Sequence, residues 1–407
     1  MSYPLTHGCW YGDDMVGAPV LSGFASNYEF INLLDKCLNT GFNTNAVQTL
    51  SRTDTTATAT YASPPGYKQD QIIDLAGVNE SGWSDRYRII EVPTPSTLKF
   101  SVPVGLAAAP TGNPVTLAAP AWKNPVWSGN VKSYTDTGKA VFNIIDPAGS
   151  GYSLRVVDTY GKYAKIRGYK VMTAIDTGTG PFPDLTSVTD DGLFVYKSYS
   201  TDATARRWRV IADSRFLMFF VIGCSDTAYG NVVEAMWFSD LVPLSPQDTD
   251  NCIIAASQQV ETYPNDYNNT SRLGYMYTSS YNNGCWISSN YVKKTPSLFY
   301  KYGPMESYYG SSATMGQYGY TYPLSITNSL ILKERVRVSD GRMDQGLVTG
   351  MRGFLPGIFA PLSNYLKTPD AFTTITLQGI PYLVIKDNYT SSKQHWYLVK
   401  MVGDLRV

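Results

Sequence analysis

Seven consecutive residues, Phe216-Leu217-Met218-Phe219-Phe220-Val221-Ile222, carry no polar side chain, and this run limits the possible folds more than any other stretch. A strand this apolar has no face to give to water, so it needs packed layers above and below. The preceding Arg206-Arg207-Trp208-Arg209-Val210-Ile211 reads as its hairpin partner, with a tight turn at Ala212-Asp213-Ser214. There Arg207 and Arg209 alternate with Trp208 and Val210, which leaves one face for water or for a partner. The rest of the chain has to supply sheets or loops that wrap this hairpin.

With 407 residues there is room for two or three domains and a sizeable core. Charged residues make up 16%, against roughly 25% in ordinary soluble chains. Tyrosine fills 31 positions, and the 33 basic residues balance the 33 acidic ones. Such a surface suits a subunit whose faces are mostly contact, because Tyr and Trp favour surfaces that are apolar yet wet at the rim. Zero net charge argues against a protein that grips nucleic-acid phosphates. Cys9, Cys37, Cys224, Cys252 and Cys285 are odd in number, lack metal-like or redox-like spacing, and are expected to be free thiols. The opening residues do not read as a signal peptide, and no apolar run approaches the roughly 20 residues of a membrane span. The expectation is synthesis and folding in a cytoplasm.

One helix is expected, over 27–40. Ser26-Asn27-Tyr28-Glu29 has the capping-box pattern, Phe30, Leu33, Leu34, Cys37 and Leu38 fall at helical spacing, and Gly41 suits a left-handed terminus. Residues 1–48 are assigned to the main domain. Residues 49–120 read as an inserted small β-module, with strands at Thr53–Tyr61, Gln71–Leu75, Tyr87–Val92 and Leu98–Val102, and with Ala107–Pro120 as a linker or extended return. The main β domain then fills 121–407. Its strands are expected at Ala140–Ile145, Ser153–Val157, Lys165–Met172, Leu193–Lys197, Val232–Phe238, Ser325–Val338, Ala371–Lys386 and His395–Met401. That spacing is the rhythm of a sandwich or barrel. Residues 261–322 hold 13 of the 31 tyrosines and read as a long ordered excursion. The glycines of Gly350-Met351-Arg352-Gly353-Phe354-Leu355-Pro356-Gly357 imply a loop that turns Phe354 into the core.

Little in the chain suggests chemistry. His7 and His395 lack a neighbouring acid or nucleophile motif, and nucleotide, zinc and calcium signatures are missing. Asp176-Thr177-Gly178, with Asp136-Thr137-Gly138 as a second copy, has the look of an aspartic-protease loop, whose chemistry needs two carboxylates sharing a proton. The copies lie too close in sequence for two similar lobes, and Asp-Thr-Gly equally serves a strand-to-turn junction. Asp240, Asp248 and Asp250 could form an oxygen-rich metal loop, but lack the Gly and terminal Glu of such a site. No catalytic, cofactor-binding or metal-binding residue is assigned, no cofactor is expected, and the chain does not read as an enzyme.

Ile166–Met172, Asp176–Pro183, Val195–Ser198, Ala205–Asp213 and Arg352–Gly357 together carry a pattern. It resembles that of virion structural proteins of tailed bacteriophages, most closely the tail tube proteins of Chi-like, flagellum-tracking siphophages. The resemblance implies an all-β fold, mainly a sandwich or barrel, with one N-terminal helix and an inserted module. It also implies a homo-oligomer of stacked, usually six-membered rings that binds other tail proteins. Such a tube passes double-stranded DNA without specific binding and stays off membranes, in the tail of a virion made in the host cytoplasm. The family carries no catalytic residues. A baseplate, tail fibre or capsid decoration protein is the alternative, and a carbohydrate-binding protein a more distant one.

Overall fold

The computed structural model describes residues 3–24, 28–122, 137–144, 146–185, 192–198, 200–222, 233–256, 285–289, 297–302, 335–340, 350–359, 372–390 and 393–406. Among the described residues the fold is all-β with one short helix, and every strand pairing is antiparallel.

Phe216–Ile222 pairs with Arg207–Asp213 on one side and Val233–Asp240 on the other. Its side chains divide by the two-residue period of a strand. Leu217, Phe219 and Val221 enter one hydrophobic core, whereas Phe216, Met218, Phe220 and Ile222 enter a second. The apolar run is therefore a wall between two cores, which explains why it has no polar face. The alternation in the first hairpin strand has a different outcome. Arg207 is exposed, but Arg209 is buried, with its guanidinium 2.6 Å from Asp13 and 3.2 Å from Asp14.

The wall belongs to a 14-stranded sheet running from Thr373–Leu377 at one end to Gly403–Asp404 at the other. Lys393–Lys400, third along that path, is joined to the last strand by Met401 and Val402 alone. Laid flat, the ten intervening strand spacings would separate them by about 48 Å. A two-residue link spans only about 10 Å, so the sheet must curl until Gly403–Asp404 comes back beside Lys393–Lys400. The Gly357 amide donates to the Leu405 carbonyl at 2.6 Å across the closure. The second core fills the enclosed space, with Trp237, Ile253, Leu355, Leu383 and Val399 among its members.

Residues 42–118 form a seven-stranded sheet that closes in a similar way. Its terminal strands, Phe42–Ala46 and Thr49–Thr53, are consecutive in the chain. Val47 and Gln48 join them, donating to Pro114 and Thr60 carbonyls at 2.9 and 2.8 Å, so this sheet also curls round on itself. Of the two readings of Ala107–Pro120, the extended return holds and the linker does not: Gly112–Ala118 is a strand paired on both sides, with Phe42–Ala46 and Ile72–Val78. Pro114 is tolerated because the pairing slips between Ala76 and Val78, at Gly77 with φ of 78°. The chain leaves for this sheet beside its point of return, since the Ala121 and Trp122 amides donate to Cys37 and Leu38 carbonyls at 2.9 and 2.7 Å.

A five-stranded sheet is centred on Tyr163–Ala174, which pairs with Ser153–Val157, Thr177–Phe182 and Leu193–Tyr196. Phe182 stacks on Phe238 at 6.3 Å between ring centroids, bringing this sheet against the first core.

The helix covers the same core. It spans Glu29–Asp35 and passes into a wider π turn over Lys36–Thr40 rather than continuing as a regular helix. Asp35 accounts for part of that change, accepting from Asn39 and Thr40 side chains at 3.2 and 3.1 Å. Gly41 closes the turn with φ of 72°, where a Cβ would lie 2.4 Å from Leu117. Phe30 meets Phe219 edge to face, with centroids 4.9 Å apart. At the start of the helix Tyr28 is left-handed and provides no side-chain cap. Ser26 lies outside the described residues, and Glu29 accepts from the Ser22 amide at 2.5 Å.

Two further expectations change. Gly350–Phe359 is a strand with register shifts, not a loop, and Leu355 and Ile358 are buried whereas Phe354 is only partly so. Gly353 fits because the Val242 carbonyl lies where its Cβ would be, and Gly357 takes φ of 63°. Of the Tyr-rich 261–322 segment, only the strands Cys285–Ile287 and Ser297–Tyr302 and the adjoining Ser288 and Ser289 are described.

Candidate functional site

The helix cap comes from across the molecule. Asp158 follows the Ser153–Val157 strand, and its Oδ2 accepts from the Phe30 and Ile31 amides at 2.8 and 3.3 Å. This satisfies two of the amides that a helix start leaves open. The other carboxylate oxygen, Oδ1, lies 2.5 Å from Lys197 Nζ, and Nζ donates also to the Tyr160 carbonyl at 2.9 Å. Lys197 follows Leu193–Tyr196, so the two residues stand at the ends of strands flanking opposite sides of Tyr163–Ala174. Both side chains are 0% exposed. Burial pushes the Asp158 carboxyl up, against Lys197 and the two amides, which favour its charged form.

Asp176 lies in the turn between Tyr163–Ala174 and Thr177–Phe182, as a strand-to-turn reading of Asp-Thr-Gly requires. Lys139 Nζ reaches it at 2.9 and 3.0 Å, and Arg155 Nη2 at 2.5 Å. Partial burial raises its pKa, but the two cations more than offset this and leave it below the usual carboxylate range. The residue after the first Asp-Thr-Gly copy, Lys139, thus neutralises the Asp of the second. Asp136 lies outside the described residues.

Asp240, Asp248 and Asp250 are brought near one region but bind different groups. Arg352 forms a two-pronged pair with Asp248, Nε at 2.7 Å and Nη2 at 2.9 Å. Its guanidinium also donates to the Ser289 and Asp250 carbonyls. Asp250 accepts from Tyr152 and Ser288 hydroxyls at 2.8 Å and from Lys170 at 2.5 Å. Burial raises the Asp250 pKa, and those donors together with Ser289 bring it below normal. Asp240 accepts from the Ser150 amide at 2.7 Å. No group of three or more His, Cys, Asp or Glu side chains suited to a metal ion occurs among the described residues. This cluster fastens the five-stranded sheet, through Ser150, Tyr152 and Lys170, to the large one. The sequence marks the three acids but not their partners, since the bonded pairs lie up to 104 residues apart.

His7 begins the His7–Gly12 strand with Tyr3 edge-on to its ring at 5.2 Å. Burial pulls its pKa down, against Asp404. His395 stands opposite Asp387 in the strand register. Cys9, Cys37 and Cys252 are buried free thiols. Among the described residues, no helix is long and apolar enough to cross a membrane.

Fold and side-chain geometry define an all-β protein whose clustered carboxylates are committed to ion pairs and hydrogen bonds. No family model matches the chain, and no curated protein matches it. Among solved structures it is similar to one titled phage phi92 endosialidase, at 11% identity and a TM-score of 0.16, over 88% of this chain. The chain spans about half of that protein, 51%. At that TM-score the likeness carries no argument about fold or activity.

Proposed function

We propose that this chain is a structural subunit of a bacteriophage virion that assembles as stacked rings, six-membered by the resemblance, into a tail tube. One observation carries the reading. The stretches that resemble tail tube proteins are mostly neighbours in the fold: Ile166–Met172, Asp176–Pro183 and Val195–Ser198 lie in or beside the five-stranded sheet, and Ala205–Asp213 contains the partner of the apolar wall.

The physical properties of the chain suit such a role. Each subunit of a tube lends strands to a shared sheet, and a head-to-tail contact repeated along an axis gives a filament. Lys139–Asn143 and Thr373–Leu377 each have a partner on one side only among the described residues. The shortage of charge fits faces that spend their working life against other subunits. Double-stranded DNA would pass without specific binding, so the lumen is expected to be acidic or neutral. Other tail proteins are the remaining partners, and the place of work is the virion tail after synthesis in the host cytoplasm.

Negative-stain electron microscopy of the purified protein at rising concentration tests this. Hollow tubes or ring stacks are expected. Persistent monomers or trimers would refute the tube and favour a fibre, baseplate or decoration role.

A further inference from the structure

We propose that Lys197 and Asp158 condense into an intramolecular amide bond, a covalent cross-link across the five-stranded sheet. A lysine with no exposure, held against an aspartate with none, is costly to maintain as an ion pair. Condensation removes both charges, and the contacts around the pair are divided as that reaction requires.

Lys197 Nζ contacts Oδ1, while the Phe30 and Ile31 amides contact only Oδ2. A proton passes from the ammonium to Oδ1, giving neutral amine and neutral acid, the state that a dry site favours. The amine lone pair attacks Cγ and the C–O π electrons move to Oδ2, where two amide N–H groups meet the developing charge. A second nitrogen proton transfers to the Oδ1 hydroxyl, the Cγ–Oδ1 bond breaks, and water leaves. Nothing is oxidised or reduced, and no co-reactant is needed. In the product Oδ2 keeps both amide donors, and the remaining N–H is placed to donate to the Tyr160 carbonyl, which Nζ contacts at 2.9 Å. Fixed positioning of the partners supplies the effective concentration that the same groups lack in water.

The link would join the ends of two strands that do not pair with each other but flank the same central strand. It would close a covalent loop through Tyr163–Ala174, so that strand could not be pulled free without breaking a bond.

The test is mass spectrometry of the full chain, denatured before measurement and then digested. We expect an intact mass below the sequence value by one water, and a branched peptide joining the Asp158 and Lys197 fragments. Asp158→Asn should form the same link with loss of ammonia in place of water, whereas Lys197→Arg should keep its full mass. Unmodified Asp158 and Lys197 peptides from folded wild-type protein would overturn the proposal. The wild-type result decides even if a variant does not fold, and it is independent of tube formation.

Discussion

Phe219 and Phe220 are neighbours in the chain but face different cores, so truncating each separately measures whether both cores exist. Phe219 is 1% exposed and Phe220 0%. Each ring removes on the order of 150–250 Å² from water, worth about 4–6 kcal/mol at about 25 cal/mol per Å². Measured Phe-to-Ala costs of about 3–5 kcal/mol agree with that range. Phe219→Ala also loses the edge-to-face contact with Phe30, which contributes about 0.5–1.5 kcal/mol within that total. Both variants should therefore lose about 3–5 kcal/mol in urea unfolding followed by tryptophan fluorescence. Because the two rings point to opposite faces, the double variant should approach the sum, to within about 0.5 kcal/mol. A Phe220→Ala cost below about 1 kcal/mol, with Phe219→Ala at its full amount, would refute the two-core arrangement. That result would mean a single core, with the Phe220 face open in solution.

Acid stability gives a second test. The depressed pKa values of Asp250 and Asp176 make a contribution that is complete above the unfolded carboxylate value of about 3.9 and lost as pH falls through the lower folded values. An acid titration should show stability falling below about pH 4, and less steeply for Asp250→Asn. Onset already at about pH 6 would assign the response to His7, whose lowered pKa makes protonation below its unfolded value of about 6.5 destabilising. Gly353→Ala should lower the thermal midpoint, since its Cβ would lie 2.2 Å from the Val242 carbonyl and the displaced backbone should cost about 1–3 kcal/mol. An unchanged midpoint would show that Val242–Pro243 is not held there.

Much of the architecture was legible in the chain because strand burial follows local pattern. The wall announced itself through seven apolar residues, and Ser153–Val157 appears with its expected bounds. Gly112–Ala118 was hidden by Pro114, whose cost depends on a bulge in its own strand, where Asn113 and Pro114 together face Gly77, that no local signal records. The helix start shows a similar limit. Ser26 and Glu29 spell a local cap, yet the donors of the first turn go to Asp158, more than a hundred residues away. The carboxylate clusters were visible only as isolated acids, because each cation that neutralises them arrives from another part of the chain.

The two-residue junctions that curl the sheets also set when each can be completed during synthesis. All seven strands of the 42–118 sheet are available once residue 118 has left the ribosome, so its closure can proceed while translation continues. The large sheet has no such freedom. His7–Gly12 waits for Gly403–Asp404, and the Tyr3 hydroxyl accepts from the Gly403 amide across a separation of 400 residues. Contacts that distant are slow to form, and until they do the second core stands open along one seam. A ribosome stalled shortly before residue 403 would therefore hold a chain with its small barrel formed and its large one gaping, the state most prone to join a neighbouring chain by mistake.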